Sequence, residues 1–343
     1  MKISVGIPRA LLYYYYFPLW QAFFQALGAE VVVSGPSTKA VLNKGVELAV
    51  EDACLPVKLA LGHIAELAGN VDYLFLPRLV SVASREYICP KFLGLPDVVR
   101  QTVPNLPGII DVNVNLYRRK NRLYSAFREA GKVVAASEAR IYLAYRRGLA
   151  AQKKYRIFLE QGFMPEEAMQ LLAESGFFLQ QPVCGKNARQ VLDPRGKTEQ
   201  ALKPPEKKPV VAVIGHPYNL YDPYISMNVL KKLQQAGARV ITADQVPEET
   251  VRREAGALPK HLFWTLNQRM IGAAFYFLRA GHPRGLLQVT SFGCGPDSMT
   301  GELIAGRVLG SGGLPFLNLV LDEHSGEAGM LTRLEAFLDM VLN

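Results

Sequence analysis

No apolar run in this sequence is long enough to cross a bilayer. The longest apolar stretch, Leu11 to Leu27, is broken by Pro18, Gln21 and Gln25. It falls short of the ~18 clean apolar residues that a spanning helix needs. No basic segment precedes an apolar one at the N-terminus, which opens on the strand pattern Ile3-Ser4-Val5-Gly6-Ile7. A secretory leader is therefore not expected, and the expected location is the cytoplasm. Cysteine is scarce, with Cys54, Cys89, Cys184 and Cys294 the only four in 343 residues. In a long chain without a leader, two disulfides are not expected; catalytic, metal-binding or buried cysteines are. A Walker loop, G-x-G-x-x-G, H-E-x-x-H and G-x-S-x-G are all missing. The chain thus carries no recognisable ATP site of its own. It also lacks a nucleic-acid reader motif, so nucleic acid is not an expected partner.

What is present points to a globular chain. Hydrophobic residues make up 49% of it, enough for a substantial core, and the length suggests two or three domains. The net charge of +9 is concentrated: Leu116 to Pro209 holds 19 Lys/Arg against 9 Asp/Glu. Such a block is either a solvated helical surface or a face for a phosphate-bearing ligand or an acidic protein.

Periodicity divides the chain into four stretches. Residues 1–114 alternate strand and helix signals, with strands at Ile3–Ile7, Ala29–Ser34 and Val71–Leu76. Helices are expected over Leu11–Leu27, from a Ser37 or Thr38 cap to about Val50, and over Pro56–Ala68. Residues 115–200 lack strand runs and read as basic helices, and 201–209 read as a proline-rich linker. Residues 210–343 restart the first pattern: strands at Val210–Ile214, Ala238–Ala243, Gly285–Ser291 and Pro315–Leu321, and helices at Ser226–Ala236, Leu262–Arg279 and Leu331–Leu342. The expected fold is α/β: two similar parallel-sheet, flavodoxin- or Rossmann-like domains joined by a helical, basic middle section.

Three cysteines share a local context. Cys54 (E-D-A-C-L-P-V), Cys89 (Y-I-C-P-K-F) and Cys294 (F-G-C-G-P-D-S) each have a proline one or two residues downstream. Proline there opens a helix, and a helix N-terminus favours an anionic thiolate or cluster. Cys54 and Cys89 are expected on the first α/β domain and Cys294 on the second. Three thiolates with no matching fourth suggest a metal site with one open position. Soft thiolates select zinc, copper(I) or iron–sulfur. Spacings of 35 and 205 residues are unlike a zinc ribbon, whose ligands come in close pairs. Cys184 has its nearest proline, Pro182, upstream and is read as a bystander.

Ligands of open parallel sheets sit beyond the carboxyl ends of the strands. His216 follows the strand Val210–Ile214 and is expected at the same end as Cys294. Asp322, Glu323 and His324 follow the last strand. They are either acid–base groups lining the open side of the site or charges on a surface loop. His63, His261 and His282 are read as structural or exposed.

The segments E-D-A-C-L-P-V-K-L-A-L-G-H-I, C-P-K-F-L-G-L-P-D, G-H-P-Y-N-L-Y-D-P-Y, F-G-C-G-P-D-S and D-E-H-S-G-E-A-G-M-L-T-R-L-E-A-F resemble the 2-hydroxyacyl-CoA dehydratase superfamily. More narrowly, they look like the branch related to the activators of CoA-linked dehydratases. The resemblance implies a 4Fe-4S cluster held by Cys54, Cys89 and Cys294, with one iron open. It implies a partner ATPase of the sugar-kinase/actin type that supplies a low-potential electron. It further implies anaerobic metabolism, with either a reduction or a radical dehydration of an acyl-CoA. A double cubane would want about six cysteines, so a single cubane is expected. Two other roles stay open: a scaffold or regulatory partner of the ATPase, and an acyl-CoA-binding dehydratase subunit. A dimer is compatible with all of them.

Overall fold

The structure, a computed structural model, describes residues 2–118, 122–135, 137–178 and 208–342. The described residues form two compact units. One takes Met1–Glu51 and Val57–Lys197, the other Asp52–Pro56 and Thr198–Asn343. Cys184 and most of the expected linker lie outside the described residues.

In the first unit, β1 (Ser4–Ile7), β2 (Glu30–Val33), β3 (Tyr73–Phe75) and β5 (Gly108–Ile110) form a parallel sheet in the order β2-β1-β3-β5. Short β4 (Arg78–Ser81) and β6 (Asn113–Asn115) pair in parallel beside it as a two-stranded sheet. The helices are α1 (Tyr13–Ala26), α2 (Lys39–Leu48), α3 (Leu55–Ala68), α4 (Pro90–Thr102), α5 (Arg122–Val134), α6 (Glu138–Glu160) and α7 (Pro165–Glu174). The Thr38 hydroxyl caps α2 by accepting from Val41 N at 3.3 Å.

The basic helices, read in the sequence as a section joining two domains, pack into this unit. Gly148 on α6 lets the helix approach α1: a Cβ there would lie 2.7 Å from the Leu19 carbonyl oxygen. Tyr155, also on α6, donates its buried hydroxyl to the Tyr14 carbonyl at 2.6 Å. Trp20 on α1 joins both layers, stacking on Phe127 of α5 at 4.1 Å and packing on Phe75 of β3 at 4.3 Å.

In the second unit, β7 (Val210–Gly215), β8 (Arg239–Thr242), β9 (Gly285–Ser291) and β10 (Phe316–Leu321) form a parallel sheet in the order β10-β9-β7-β8. Its helices are α8 (Pro217–Leu220), α9 (Val229–Gln235), α10 (Glu248–Ala255), α11 (Thr265–Ala280), α12 (Gly295–Gly310) and α13 (Glu327–Leu342). β9 is buried along its whole length, as expected of a central strand covered on both faces. Ala212 and Ile214 of β7 and Leu286 of β9 pack with Ile271 and Phe275 of α11 and Ile304 of α12. The helix expected from Ser226 begins only at Val229 because Met227 and Asn228 adopt left-handed backbone, φ 47° and 57°.

Numbered by appearance within each unit, both sheets run 2-1-3-4. The expected pair of similar parallel α/β folds is therefore present. One placement differs: Cys54, expected beside Cys89, lies in Asp52–Pro56 and belongs to the second unit. No helix among the described residues is long and apolar enough to cross a membrane.

Candidate functional site

In a sheet of order 2-1-3-4 the first and third strands are neighbours whose connections leave in opposite directions. A crevice opens at their carboxyl ends. In the second unit those strands are β7 and β9. Two segments meet there: Gly215-His216-Pro217 and Ser291-Phe292-Gly293-Cys294.

Local chemistry fixes each segment. Gly215 ends β7 where any Cβ would lie 2.6 Å from the Val289 carbonyl oxygen of β9. Pro217 then starts α8, with His216 as the residue before it. Gly293 turns the chain at φ +75°, a conformation that glycine adopts readily. Cys294 is the residue preceding α12, whose second position is Pro296.

His216 and Asp297 are almost fully buried, 4% and 1% exposed, and Cys294 is half-buried. His216 Nε2 lies 2.7 Å from Asp297 Oδ1. An ionised carboxylate only accepts, so Nε2 carries the proton and donates. Asn267 of α11 donates to the same Oδ1 at 2.8 Å and to Thr300 Oγ1 at 2.9 Å. Thr300 Oγ1 in turn donates to the Pro296 carbonyl at 2.8 Å. Asp297 is thereby clamped by one helix and tied to the turn that carries Cys294. A ring nitrogen of His216, a carboxylate oxygen of Asp297 and Cys294 Sγ all lie within 4.8 Å of one another. His216 Nδ1 and Asp297 Oδ2 are buried without a hydrogen-bond partner. Unpaired buried polar atoms are uncommon and call for an explanation.

Burial pushes the Cys294 thiol well above its ordinary range, and the Asp297 carboxylate adds to the effect, with a smaller contribution from Cys54. Without a cation the sulfur is a neutral thiol; a bound cation would displace its proton.

The other two cysteines share the position of Cys294 relative to a helix. Cys54 directly precedes α3, which has Pro56 at its second position. Cys89 directly precedes α4, which has Pro90 at its first. Both are half-buried, and neither forms a disulfide.

Asp322, Glu323 and His324 follow β10, the edge strand next to β9. Asp322 Oδ1 accepts from His324 N and Ser325 Oγ, both at 2.9 Å, in the turn that leads to α13. The His324 side chain is 87% exposed. Among the other histidines, His63 is fully buried in the first unit, and His261 Nε2 lies 3.1 Å from Gln268 Nε2.

Sequence reasoning brings His216 and Cys294 to one edge and misses Asp297, Asn267 and Thr300. The only sequence signal for Asp297 is an acid in the first turn of a helix, a position acids commonly take for the helix dipole.

The family described as the CoA enzyme activase uncharacterised domain (DUF2229) matches residues 4–246. The chain belongs to this family. The matched span covers the first unit's strands and helices together with β7, α8, α9 and β8, and so includes Cys54, Cys89 and His216. Cys294 and Asp297 lie beyond it. The family's description connects the chain with CoA enzyme activation. No curated protein matches it.

Proposed function

We propose that this protein is an iron–sulfur member of the CoA-dehydratase system, in the branch related to its activators. Cys54, Cys89 and Cys294 would hold a 4Fe-4S cluster. A partner ATPase of the sugar-kinase/actin type would supply low-potential electrons for a reduction or a radical dehydration. When bound, such a cluster supplies one-electron transfer at a potential set by its charge, hydrogen bonds and exposure. The observation that carries this reading is the shared setting of three cysteines, each directly before a helix opened by proline. Free N–H groups at helix N-termini stabilise the negative charge of thiolates and of an anionic cluster.

The chain's own residues then have defined tasks. Asp297, clamped by Asn267, orients His216 by accepting a hydrogen bond from its Nε2–H. The His216 imidazole keeps that proton at Nε2, and its Nδ1 is buried without a hydrogen-bond partner. Asp322 shapes the turn after β10, which leaves Glu323 and His324 as polar groups for an incoming substrate. The basic surface of α6, including exposed Arg146 and Lys153, suits an acyl-CoA phosphate or an acidic partner.

The test is anaerobic reconstitution of the full chain. About four irons per chain, as one cubane requires, and a paramagnetic signal on reduction are expected, both falling sharply in Cys89→Ser. A colourless, iron-free wild-type protein after reconstitution overturns the reading.

A further inference from the structure

We infer that His216, Cys294 and Asp297 form a mononuclear site for a divalent metal of the zinc class, which competes with cluster assembly for Cys294. The inference rests on the iron–sulfur reading only where Cys294 is shared; the metal site itself stands on the second unit alone.

The donor set is one sulfur, one nitrogen and one oxygen, all within 4.8 Å of each other. In a tetrahedral zinc site, bond lengths of 2.0–2.3 Å place donors about 3.3–3.8 Å apart. Small side-chain shifts close that difference. Three protein ligands plus one open position is the composition of catalytic rather than structural zinc sites. Thiolate and imidazole together favour zinc over magnesium or calcium, which prefer all-oxygen shells.

Two further features point to an ion rather than to packing. First, Asn267 holds Asp297 Oδ1 and leaves Oδ2, buried without a hydrogen-bond partner, as the donor. His216 Nδ1 lies on the far side of the ring from Asp297, so the ion takes His216 through Nε2, and the proton that Nε2 donates to Asp297 passes to Nδ1. Second, an outer shell already exists. Asn267 fixes Asp297, and Thr300 fixes Asn267 while bonding back to Pro296 beside Cys294. Metal ligands are commonly held by such supporting bonds. On binding, the metal–sulfur bond forms as the thiol proton passes to solvent. Cys294 then cannot ligate a cluster iron, so the ion acts as a block on cluster assembly.

The experiment uses the full-length, reduced, metal-free chain under anaerobic conditions, with Co²⁺ as the spectroscopic probe and Zn²⁺ as competitor. Expected are thiolate-to-cobalt charge-transfer and tetrahedral d–d absorption at one cobalt per chain, displaced by Zn²⁺. Both bands persist in Cys54→Ser and Cys89→Ser and vanish in Cys294→Ser. His216→Gln and Asp297→Asn each weaken binding by about 100-fold or more, at the upper end of the range for support residues. Thermal melts accompany each variant, and either of the two suffices if the other is unfolded. Zinc-loaded wild-type chain should take up no iron on reconstitution, whereas zinc-treated His216→Gln should take it up. Absent bands, bands lost in Cys54→Ser or Cys89→Ser, or folded His216→Gln and Asp297→Asn with wild-type affinity overturn the inference. Iron uptake by metal-free wild-type chain tests the cluster reading separately, so either can fail while the other stands.

Discussion

Acidification should destabilise the first unit through one buried imidazole. His63 on α3 is fully buried, with Nε2 2.9 Å from Ser37 Oγ and Nδ1 without a hydrogen-bond partner. Glu66 Oε2 lies 3.9 Å from Nδ1, beyond hydrogen-bond reach. Burial, and after it the Arg9 cation, lower the His63 pKa from 6.5 to about 4. The sign follows directly. Between those two values the unfolded chain binds a proton that the folded chain does not. Stability conferred by the neutral ring is thus fully present above pH 6.5 and is lost as pH falls toward 4. The gap corresponds to about 3 kcal/mol, a large share of a typical domain's stability. The assay is urea unfolding of the full chain across this pH range. Fluorescence is followed in a Trp264→Phe background, so that buried Trp20 alone reports the first unit. His63→Gln cannot titrate yet keeps a partner for Ser37, and it should remove most of the pH dependence. Parallel pH profiles for the two proteins would refute the reasoning.

Two packing predictions are independent of any metal. Trp20→Ala removes the ring shared by Phe75 and Phe127; it should lower the first unit's unfolding free energy by about 3–5 kcal/mol, read by far-ultraviolet dichroism during urea titration. Gly215→Ala sets a methyl against the Val289 carbonyl oxygen, at 2.6 Å before relaxation; it should destabilise the second unit by about 1–3 kcal/mol, and an unchanged melting curve would show that β7 and β9 can separate without penalty.

The parts of the fold legible in the sequence are those governed by local signals. β7, β9 and β10 are apolar runs bounded by glycine or proline, and their limits fall within one residue of expectation. β4, β5 and β6 are three or four residues long, too short for alternation to register. Left-handed Met227 and Asn228 delay α9; asparagine is common in that conformation, but nothing about methionine announces it. The basic helices show amphipathic faces, but their partner cannot be read locally: Tyr155 meets Tyr14 across 141 residues. The candidate site divides the same way. His216 and Cys294 each follow a strand and are found by position. Asn267 reaches Asp297 across 30 residues from the middle of a helix that otherwise reads as core. Cys54 is recognisable by its proline, but its membership in the second unit is a tertiary fact.

The two sheets share a strand order and differ in what fills the switch point. In the first unit the carboxyl ends of β1 and β3 face a pocket lined mainly by apolar side chains, among them Ile7, Leu11, Trp20, Phe75, Phe92 and Leu95. Leu11 holds left-handed backbone there, φ 52°, with its side chain buried. A leucine in that conformation is strained, and the packing around it must outweigh the strain. An ion placed in such a pocket would lose its hydration with few donors in return. In the second unit the same topological position carries a buried imidazole, a buried carboxylate and a thiol. Burying those groups is unfavourable unless something pairs them, and the internal hydrogen bonds leave His216 Nδ1 and Asp297 Oδ2 unpaired. If the fold alone were being served, the apolar solution of the first sheet would serve the second as well. The polar lining is therefore the physical ground for placing the chemistry at the carboxyl ends of β7 and β9.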